Sequence, residues 1–190
     1  MKLIREEIEQ VEFIVENRNG KKSLYIEGVF LQGNIKNRNG RMYPMETLRR
    51  EVSRYNENHV QAGRALGELD HPESPVVNLK NVCCNVVDIW EDGDDIRGNI
   101  EILTTPTGNI VRDLIRNNIR LGVSSRGMGS VKNMSEGTVE VQEDFNLICF
   151  DIVSNPSTHG AFITENTSNK MANPYENIDK LIHDFLSEVR

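Results

Sequence analysis

The chain has 190 residues, of which 37% are hydrophobic and 27% charged, and its formal net charge is −7. This length fits one domain of ordinary size, and the composition is that of a globular protein. Nucleic-acid binding relies on basic residues that neutralise phosphates, so we expect no nucleic-acid partner for this acidic chain. No apolar run approaches the ~20 residues that a membrane-spanning helix needs, so we expect no membrane association either.

The first half of the chain is predicted to contain strands and one helix. The segment 24–32 (LYIEGVFLQ) is rich in aromatic and branched residues and predicts a strand. Pro44 opens a predicted helix, because the apolar residues that follow it recur at helical spacing up to Tyr55. A short strand is predicted over 65–69, immediately before a histidine and a proline.

The second half is predicted to alternate between strands and helices. The pattern over 79–103 predicts a β-hairpin with an acidic, glycine-containing turn, and a helix follows that begins at Thr105 and ends at Gly122. The remaining predicted elements are an antiparallel pair at 138–141 and 147–153, a short strand at 161–164, a linker at 165–174 and an amphipathic helix from Tyr175.

These elements predict one compact domain with a C-terminal extension. We place the domain at residues 1–164 and the linker with its amphipathic helix at 165–190. Strands outnumber helices and the helices are interspersed, which predicts an α+β fold built on a mostly antiparallel, barrel-like sheet.

The three cysteines, Cys83, Cys84 and Cys149, show neither a disulfide pattern nor the spacing of a metal site. Cys83 and Cys84 are adjacent, and neighbouring residues of a strand point to opposite faces. We interpret all three as free thiols in a reducing compartment, and we predict no metal and no other cofactor. The first residues also lack the apolar segment of a secretory signal, so a cytoplasmic location is expected.

Two short segments contain residues suited to nucleophilic catalysis. The segment 67–72 (GELDHP) contains His71 directly before a proline, and 122–129 (GVSSRGMG) places Ser124 in a glycine-flanked strand. A serine nucleophile needs a base, and a histidine base needs an orienting acceptor, for which Asp151 in an apolar strand is a candidate. The spacing alone does not establish a triad, because a histidine before proline is often a loop residue and a strand aspartate often faces solvent.

Several segments in the same order resemble the prohead core protein protease family of T-even-like tailed bacteriophages. The resemblance covers about residues 24–160 and consists of four motifs: 24–32 with 37–39 and 43–44, then 65–72, then 122–130, and finally Asp151 with Pro156 and Ser157 just beyond. Each motif is weak by itself, but four of them in register are specific.

The resemblance implies a herpesvirus-assemblin-like fold, which is a β-barrel surrounded by helices. It also implies a serine endopeptidase that acts inside the assembling procapsid, in the host cytoplasm. The implied partners are the scaffolding core and the major head proteins, which such an enzyme cleaves as substrates before DNA packaging. The sequence leaves open whether the protein forms a homo-oligomer.

The resemblance also assigns roles to individual residues. It implies that His71 is the base and that Ser124, rather than Ser125, is the nucleophile. The aligned strand offers Asp151 as the third member. Because related herpesvirus enzymes use a second histidine there, His159 stays an alternative, and so do the acidic residues beside the base, Glu68 and Asp70.

We further predict backbone N–H groups near Arg126 and Gly127 as donors to the oxyanion, and the side chain of Arg126 would equally suit pairing with a substrate carboxylate or with a structural acid. The family is similar to enzymes that cut after glutamate with a branched apolar residue two positions before it. Triplets of this kind at 4–6, 14–16 and 186–188 are therefore possible self-cleavage sites, although such triplets are also common on amphipathic helices.

Two other functions are compatible with the sequence. The same barrel would serve a non-catalytic phage head or tail component, since a fold does not determine a function. A metal-dependent hydrolase would use Glu68, Asp70, His71 and Asp88 as ligands of a divalent ion. Sensitivity to chelators would favour that alternative, and sensitivity to serine-directed reagents would favour the protease.

Overall fold

The structure is a computed structural model, and it describes residues 2–8, 11–18, 21–134 and 137–154. The predicted strand at 161–164 and the predicted linker and helix at 165–190 lie outside these residues, as does His159. The described elements are, in order, β1 (Lys2–Ile8), β2 (Val11–Arg18), β3 (Lys21–Gln32), β4 (Arg41–Met42), α1 (Met45–Tyr55), β5 (Leu66–Glu68), β6 (Val82–Asp92), β7 (Asp95–Ile102), α2 (Pro106–Arg116), β8 (Gly122–Gly129), β9 (Val131–Asn133), β10 (Val139–Val141) and β11 (Asn146–Val153).

The strands are arranged in three sheets. The largest has the order β2-β3-β7-β6-β5, and a second has the order β1-β8-β11, and all pairs in both are antiparallel. The third sheet is small, with β10 between β4 and β9, and its β10–β4 pair is parallel. The predicted hairpin is confirmed as β6 and β7, whose turn includes Gly93 at a φ of +66°.

The predicted herpesvirus-assemblin-like β-barrel with surrounding helices is wrong. Among the described residues, the hydrogen-bonded ladders leave β2 and β5 as edges of the largest sheet and β1 and β11 as edges of the second. An isolated bridge between Leu69 and Ile152 is the contact that joins these two sheets by backbone pairing in that part of the chain. A closed barrel requires every edge to pair, so the fold is a set of mostly antiparallel sheets with two described α-helices.

Aromatic side chains hold the two larger sheets and the first helix together. The ring of Phe150 on β11 lies 5.1 Å from that of Phe30 on β3 and 5.5 Å from that of Tyr55 at the end of α1. All three are fully buried, and such pairs add about 0.5–1.5 kcal/mol each beyond the burial of their area. The strand that contains Asp151 is thereby fixed against the core.

The two predicted helices that fall within the described residues are present, but the second is shorter than predicted. α1 follows Pro44 as expected and continues into a π-helical turn up to Val60. α2 begins at Pro106, and the Thr105 side chain caps it by accepting a hydrogen bond from the Gly108 N–H. It ends at Arg116 rather than at Gly122, because the chain turns at Asn118, whose φ is +56°.

The predicted pairing of 138–141 with 147–153 is also wrong. β10 pairs with β9 and β4, whereas β11 pairs with β8, the strand that contains Ser124. Both segments have the alternation of a strand, but local alternation does not specify the partner strand. The correction matters, because it places the 147–153 segment beside Ser124.

Gly67 sits where β5 passes β11 at close range, and an alanine there is expected to destabilise the fold. An added Cβ would lie 1.9 Å from the Phe150 carbonyl oxygen and 2.7 Å from the Cys84 sulfur, so the backbone would have to move. We expect Gly67→Ala to lower the free energy of unfolding by about 1–3 kcal/mol, as overpacking does, measured by chemical denaturation.

The matched control is Gly63→Asn, because a Cβ at Gly63 would meet nothing within 4 Å and asparagine tolerates the positive φ of +64° found there. An unchanged unfolding free energy for Gly67→Ala would contradict the close approach of β5 to β11.

Candidate active site

Three separate elements bring the sequence-predicted residues His71, Ser124 and Asp151 together. Ser124 lies on β8 and Asp151 on β11, and their Cα atoms are paired directly across the two strands. His71 follows β5, where the Asp70 N–H donates to the Ile152 carbonyl oxygen at 2.7 Å. Asp70 has a φ of +68°, and this left-handed turn directs the chain so that His71 lies over the two strands.

An irregularity in β11 sets the register of the site. The pairing with β8 shifts between Leu147 and Cys149, so that Cys149 is opposite Arg126 and Asp151 is opposite Ser124. Bulges of this kind re-aim side chains and are common beside active sites. Because residues two apart in a strand share a face, the bulge places all four side chains on one face of this pair of strands.

The histidine ring bridges the serine and the aspartate. His71 Nε2 lies 2.5 Å from Ser124 Oγ, and His71 Nδ1 lies 2.9 Å from Asp151 Oδ2. A carboxylate oxygen only accepts hydrogen bonds, so this network assigns the ring proton to Nδ1 and leaves the Nε2 lone pair facing the serine. This geometry suits proton transfer from the hydroxyl to the imidazole.

The site is almost closed to solvent. Ser124 and Asp151 are 0% exposed, and the side chain of His71 is 7% exposed. Charge interactions are strong in such surroundings, because little water screens them. The Ser124 hydroxyl is therefore shielded from solvent in this conformation.

Ser125 and the other sequence-level alternatives occupy different places. Ser125 is opposite Phe150 rather than Asp151, and adjacent strand residues face opposite ways. Asp70 is exposed, and its side chain accepts from the backbone N–H of His71, not from the ring. Glu68 is fully buried and contacts Arg126 instead of the histidine.

Arg126 lies beneath the site as a fully buried cation. Its Nη2 donates to Glu68 Oε1 at 2.8 Å and to Asp151 Oδ1 at 3.1 Å, and its Nε lies 3.0 Å from Asp151 Oδ2. Its Nη1 donates to the Ser74 carbonyl oxygen at 2.7 Å. Burial alone would lower the pKa of the guanidinium, but its neighbours, led by Cys149 and Asp151, raise that pKa above the ordinary value.

Cys149 completes the surroundings of the Asp151 carboxylate. Its sulfur accepts from Arg126 Nε at 3.2 Å, and its thiol donates to Asp151 Oδ1 at 3.5 Å. Burial and then the charge of Asp151 raise the pKa of this thiol well above the usual value, so it stays protonated. Asp151 Oδ1 also accepts from the Glu68 N–H at 2.9 Å, so both of its oxygens are hydrogen-bonded.

Gly127 and the backbone of Arg126 belong to the ladders on both sides of β8. Gly127 is paired with Ile4 on β1 and with Leu147 on β11. A Cβ at Gly127 would lie 2.4 Å from the ring of Phe145, so its lack of a side chain accommodates core packing. The backbones of both residues thus take part in sheet pairing, and their role as oxyanion donors stays a prediction.

The contacts of Glu68 and Cys149 were missed by the sequence reasoning, although a signal for them exists. Ser124 and Arg126 are two residues apart on one strand, and Cys149 and Asp151 are two apart on another. Residues with this spacing share a face. Pairing these two strands correctly would have predicted the arginine beside the aspartate.

Among the described residues, no group of three or more histidine, cysteine, aspartate or glutamate side chains is arranged to hold a metal ion. Glu68, one of the ligands considered from the sequence, is instead paired with Arg126 at 2.8 Å. In the same part of the chain, no helix is both long enough and apolar enough to cross a membrane.

The comparisons with known proteins place the chain in a family. A family model described as prohead core protein serine protease matches residues 6–171, so the chain belongs to that family. It is 38% identical over 149 residues to the prohead core protein protease of Enterobacteria phage T4, a match that spans 76% of this chain and 69% of the T4 protein.

A solved structure gives the same result. The chain is similar to the bacteriophage T4 capsid assembly protease, gp21, with a TM-score of 0.77 and 34% sequence identity. That match covers 82% of this chain and 98% of the solved one. The protein is therefore a protease of phage capsid assembly, and the family resemblance found in the sequence motifs is confirmed.

Proposed function

We propose that the protein is a serine endopeptidase in which Ser124 is the nucleophile, His71 the general base and Asp151 the acceptor that orients the histidine. Support comes from the unbroken hydrogen-bond order from Asp151 through His71 to Ser124, with contacts of 2.9 and 2.5 Å. The three residues come from distant parts of the chain and meet in the order that this mechanism needs.

The geometry allows a two-step acyl transfer. As Ser124 Oγ attacks the scissile carbonyl carbon, its proton moves to His71 Nε2, and the resulting imidazolium is stabilised by the Asp151 carboxylate. The imidazolium then protonates the leaving amine, and the C–N bond breaks to leave an acyl-enzyme. A water molecule, deprotonated by the same histidine, hydrolyses the ester and restores Ser124.

We propose that the Arg126 side chain pairs with structural acids, the second of its two sequence-based options, rather than with a substrate carboxylate. Its Nε, Nη1 and Nη2 atoms all donate to acceptors within the protein. The side chain is also 0% exposed, so reaching a substrate oxygen would require breaking buried ion pairs, which is strongly unfavourable. Arg126 therefore acts on the carboxylates beneath the site.

The proposed substrates are the scaffolding core and head proteins of the procapsid, cleaved inside that particle in the host cytoplasm. Cleavage is proposed to follow a glutamate that has a branched apolar residue two positions before it. The relatives named above are proteases of the prohead core and of capsid assembly, which supports this choice of substrates.

The chain itself supplies a substrate that tests this specificity. A synthetic peptide of residues 1–12 contains one matching triplet, at 4–6, and we expect cleavage between Glu6 and Glu7. The Glu6→Gln peptide is the matched control, and we expect kcat/KM to fall at least about tenfold, because a site built to bind a charged or polar group discriminates against its loss. Mass spectrometry of the products locates the cut.

Equal rates for the two peptides, or a cut elsewhere, would contradict the glutamate specificity.

Self-cleavage of the folded protein is a separate proposal. Glu6 and Glu16 lie in β1 and β2, whose backbones pair with β8 and β3. These strands must leave their ladders before the bonds can be cut. We therefore expect the free peptide to be cleaved faster than the intact N-terminus. The third triplet, which ends at Glu188, lies outside the described residues.

A further inference from the structure

We propose that Glu68 is a positioning residue of the catalytic reaction: it offsets the charge of Arg126, so that the negative charge of Asp151 stays available to His71. This inference rests on the proposed triad and goes beyond it, because Glu68 touches neither the serine nor the imidazole. It assigns a function to a buried glutamate that the triad mechanism does not use.

The contacts of Arg126 explain why a second carboxylate is needed. The guanidinium binds both oxygens of Asp151, through Nη2 to Oδ1 at 3.1 Å and through Nε to Oδ2 at 3.0 Å. Oδ2 is also the atom that contacts His71 Nδ1. Alone, this arginine would cancel most of the charge that the aspartate offers to the histidine.

The charge count of the buried cluster changes during the reaction. Glu68, Arg126 and Asp151 are each 0% exposed, and two carboxylates beside one guanidinium carry a net charge of −1. When His71 takes the serine proton, its positive charge brings the total for the cluster and the histidine to zero. Without the charge of Glu68, this total would be zero before the proton transfer and +1 after it. An uncompensated buried charge is strongly disfavoured.

The hydrogen bonds of Glu68 point to the same conclusion. Its Oε1 accepts from Arg126 Nη2 at 2.8 Å and from the Asn78 N–H at 3.0 Å. Its Oε2 is buried and has no hydrogen-bond partner in the described part of the chain. A glutamine would satisfy the same two donors through its carbonyl oxygen, so the feature specific to glutamate at this position is the charge.

Glu68 and Arg126 also hold the loop on which His71 lies. The loop leaves β5 immediately after Glu68, and it is bound at Ser74 by Arg126 Nη1 and at Asn78 by Glu68 Oε1. The ion pair therefore contacts the segments that contribute all three triad residues.

The charged and titratable side chains around His71 are Asp151 in contact with the ring, Glu68, Arg126 and the protonated Cys149 behind it, and Asp70 and Glu73 on its own loop. On β1, the backbone at Glu7 is opposite Ser124 in the register. Glu68 and Asp151 are the two buried acidic side chains in this set. Replacing Glu68 by glutamine removes a negative charge and leaves the contact between Asp151 and His71 in place.

The test compares Glu68→Gln with Glu51→Gln on a peptide substrate. Glu51 is a matched control, because it is a buried glutamate that accepts from the Leu147 N–H at 2.9 Å and pairs with Arg54 at 2.7 Å, away from the triad. For Glu68→Gln we expect kcat to fall at least about tenfold, the equivalent of one pKa unit, with KM little changed. We also expect the acid limb of the pH–rate profile to move to lower pH.

Glu51→Gln is expected to lower stability while leaving kcat per folded enzyme and the acid limb unchanged. Glu68→Asp retains the charge and is expected to keep the acid limb of the wild type; it also tests the proposal if the glutamine variant does not fold. An acid limb that stays in place in Glu68→Gln, or that moves equally in Glu68→Asp, would overturn the proposal. Failure of the triad itself is distinguished by a wild type that is inactive, or by a Ser124→Ala variant that is active.

Discussion

Ser124→Ala is expected to reduce peptide cleavage by a factor on the order of 10⁶ in kcat, to the level left by substrate binding and transition-state contacts alone. The reason is that the hydroxyl both attacks the carbonyl and supplies the proton that His71 transfers, so no step of the acyl-transfer mechanism survives its loss. The unfolding free energy should change little, since the substitution removes one oxygen atom from a well-packed strand.

Ser125→Ala is the matched control for this experiment. It makes the same chemical change one residue along the same strand, at a side chain that is just as buried but faces the opposite way. We expect its kcat to stay within a few-fold of the wild type. The measurement is mass spectrometry of purified protein incubated with a glutamate-containing peptide, for the wild type and both variants.

The outcomes separate the alternatives clearly. Activity lost in the Ser125 variant and kept in the Ser124 variant would mean that the wrong serine has been assigned. Activity kept in both would mean that cleavage comes from another group or from a contaminating protease. A wild type inactive on every glutamate-containing substrate, including scaffold protein, would favour the non-catalytic head component considered from the sequence.

Local pattern predicted several elements correctly, because each depends on neighbouring residues, but it did not predict β1, β4 or β9. The strand that contains Tyr25 follows from branched and aromatic content, the first helix from Pro44 and helical spacing, and the hairpin from the turn that includes Gly93. The ends were less predictable: α2 stops at Arg116, since a left-handed residue at Asn118 closes it earlier than the next glycine would.

Pairing between strands that are far apart in the chain was not predictable, and the wrong barrel and the wrong partner for 147–153 both come from this limit. Closing a sheet into a barrel, or choosing the partner of 147–153, depends on contacts between segments far apart in the chain, and period-2 alternation carries no information about them. The same limit applied to the site. Motifs suggested His71 and Ser124, but the place of Arg126 depended on a bulge in β11 that shifts the register by one residue.

Asp151→Asn is expected to lower kcat by about 10⁴-fold, the size of the effect when the orienting aspartate of a serine triad becomes an amide. An asparagine side chain that donates to Nδ1 would hold the imidazole in the tautomer whose Nε2 carries the proton. That nitrogen then faces Ser124 as a donor and cannot accept the hydroxyl proton. The loss should appear in kcat rather than in KM.

Asp70→Asn is the matched control, because Asp70 is adjacent to His71 in the chain and bonds its backbone N–H at 2.9 Å rather than its ring. Denaturation curves for both variants separate chemistry from folding, which matters because Arg126 loses a charged partner in Asp151→Asn. That loss is partial, since Arg126 keeps its ion pair with Glu68 at 2.8 Å. A folded Asp151→Asn enzyme with near-normal kcat would remove Asp151 from the triad, whereas a folded but inactive one would show that the buried carboxylate acts through the histidine.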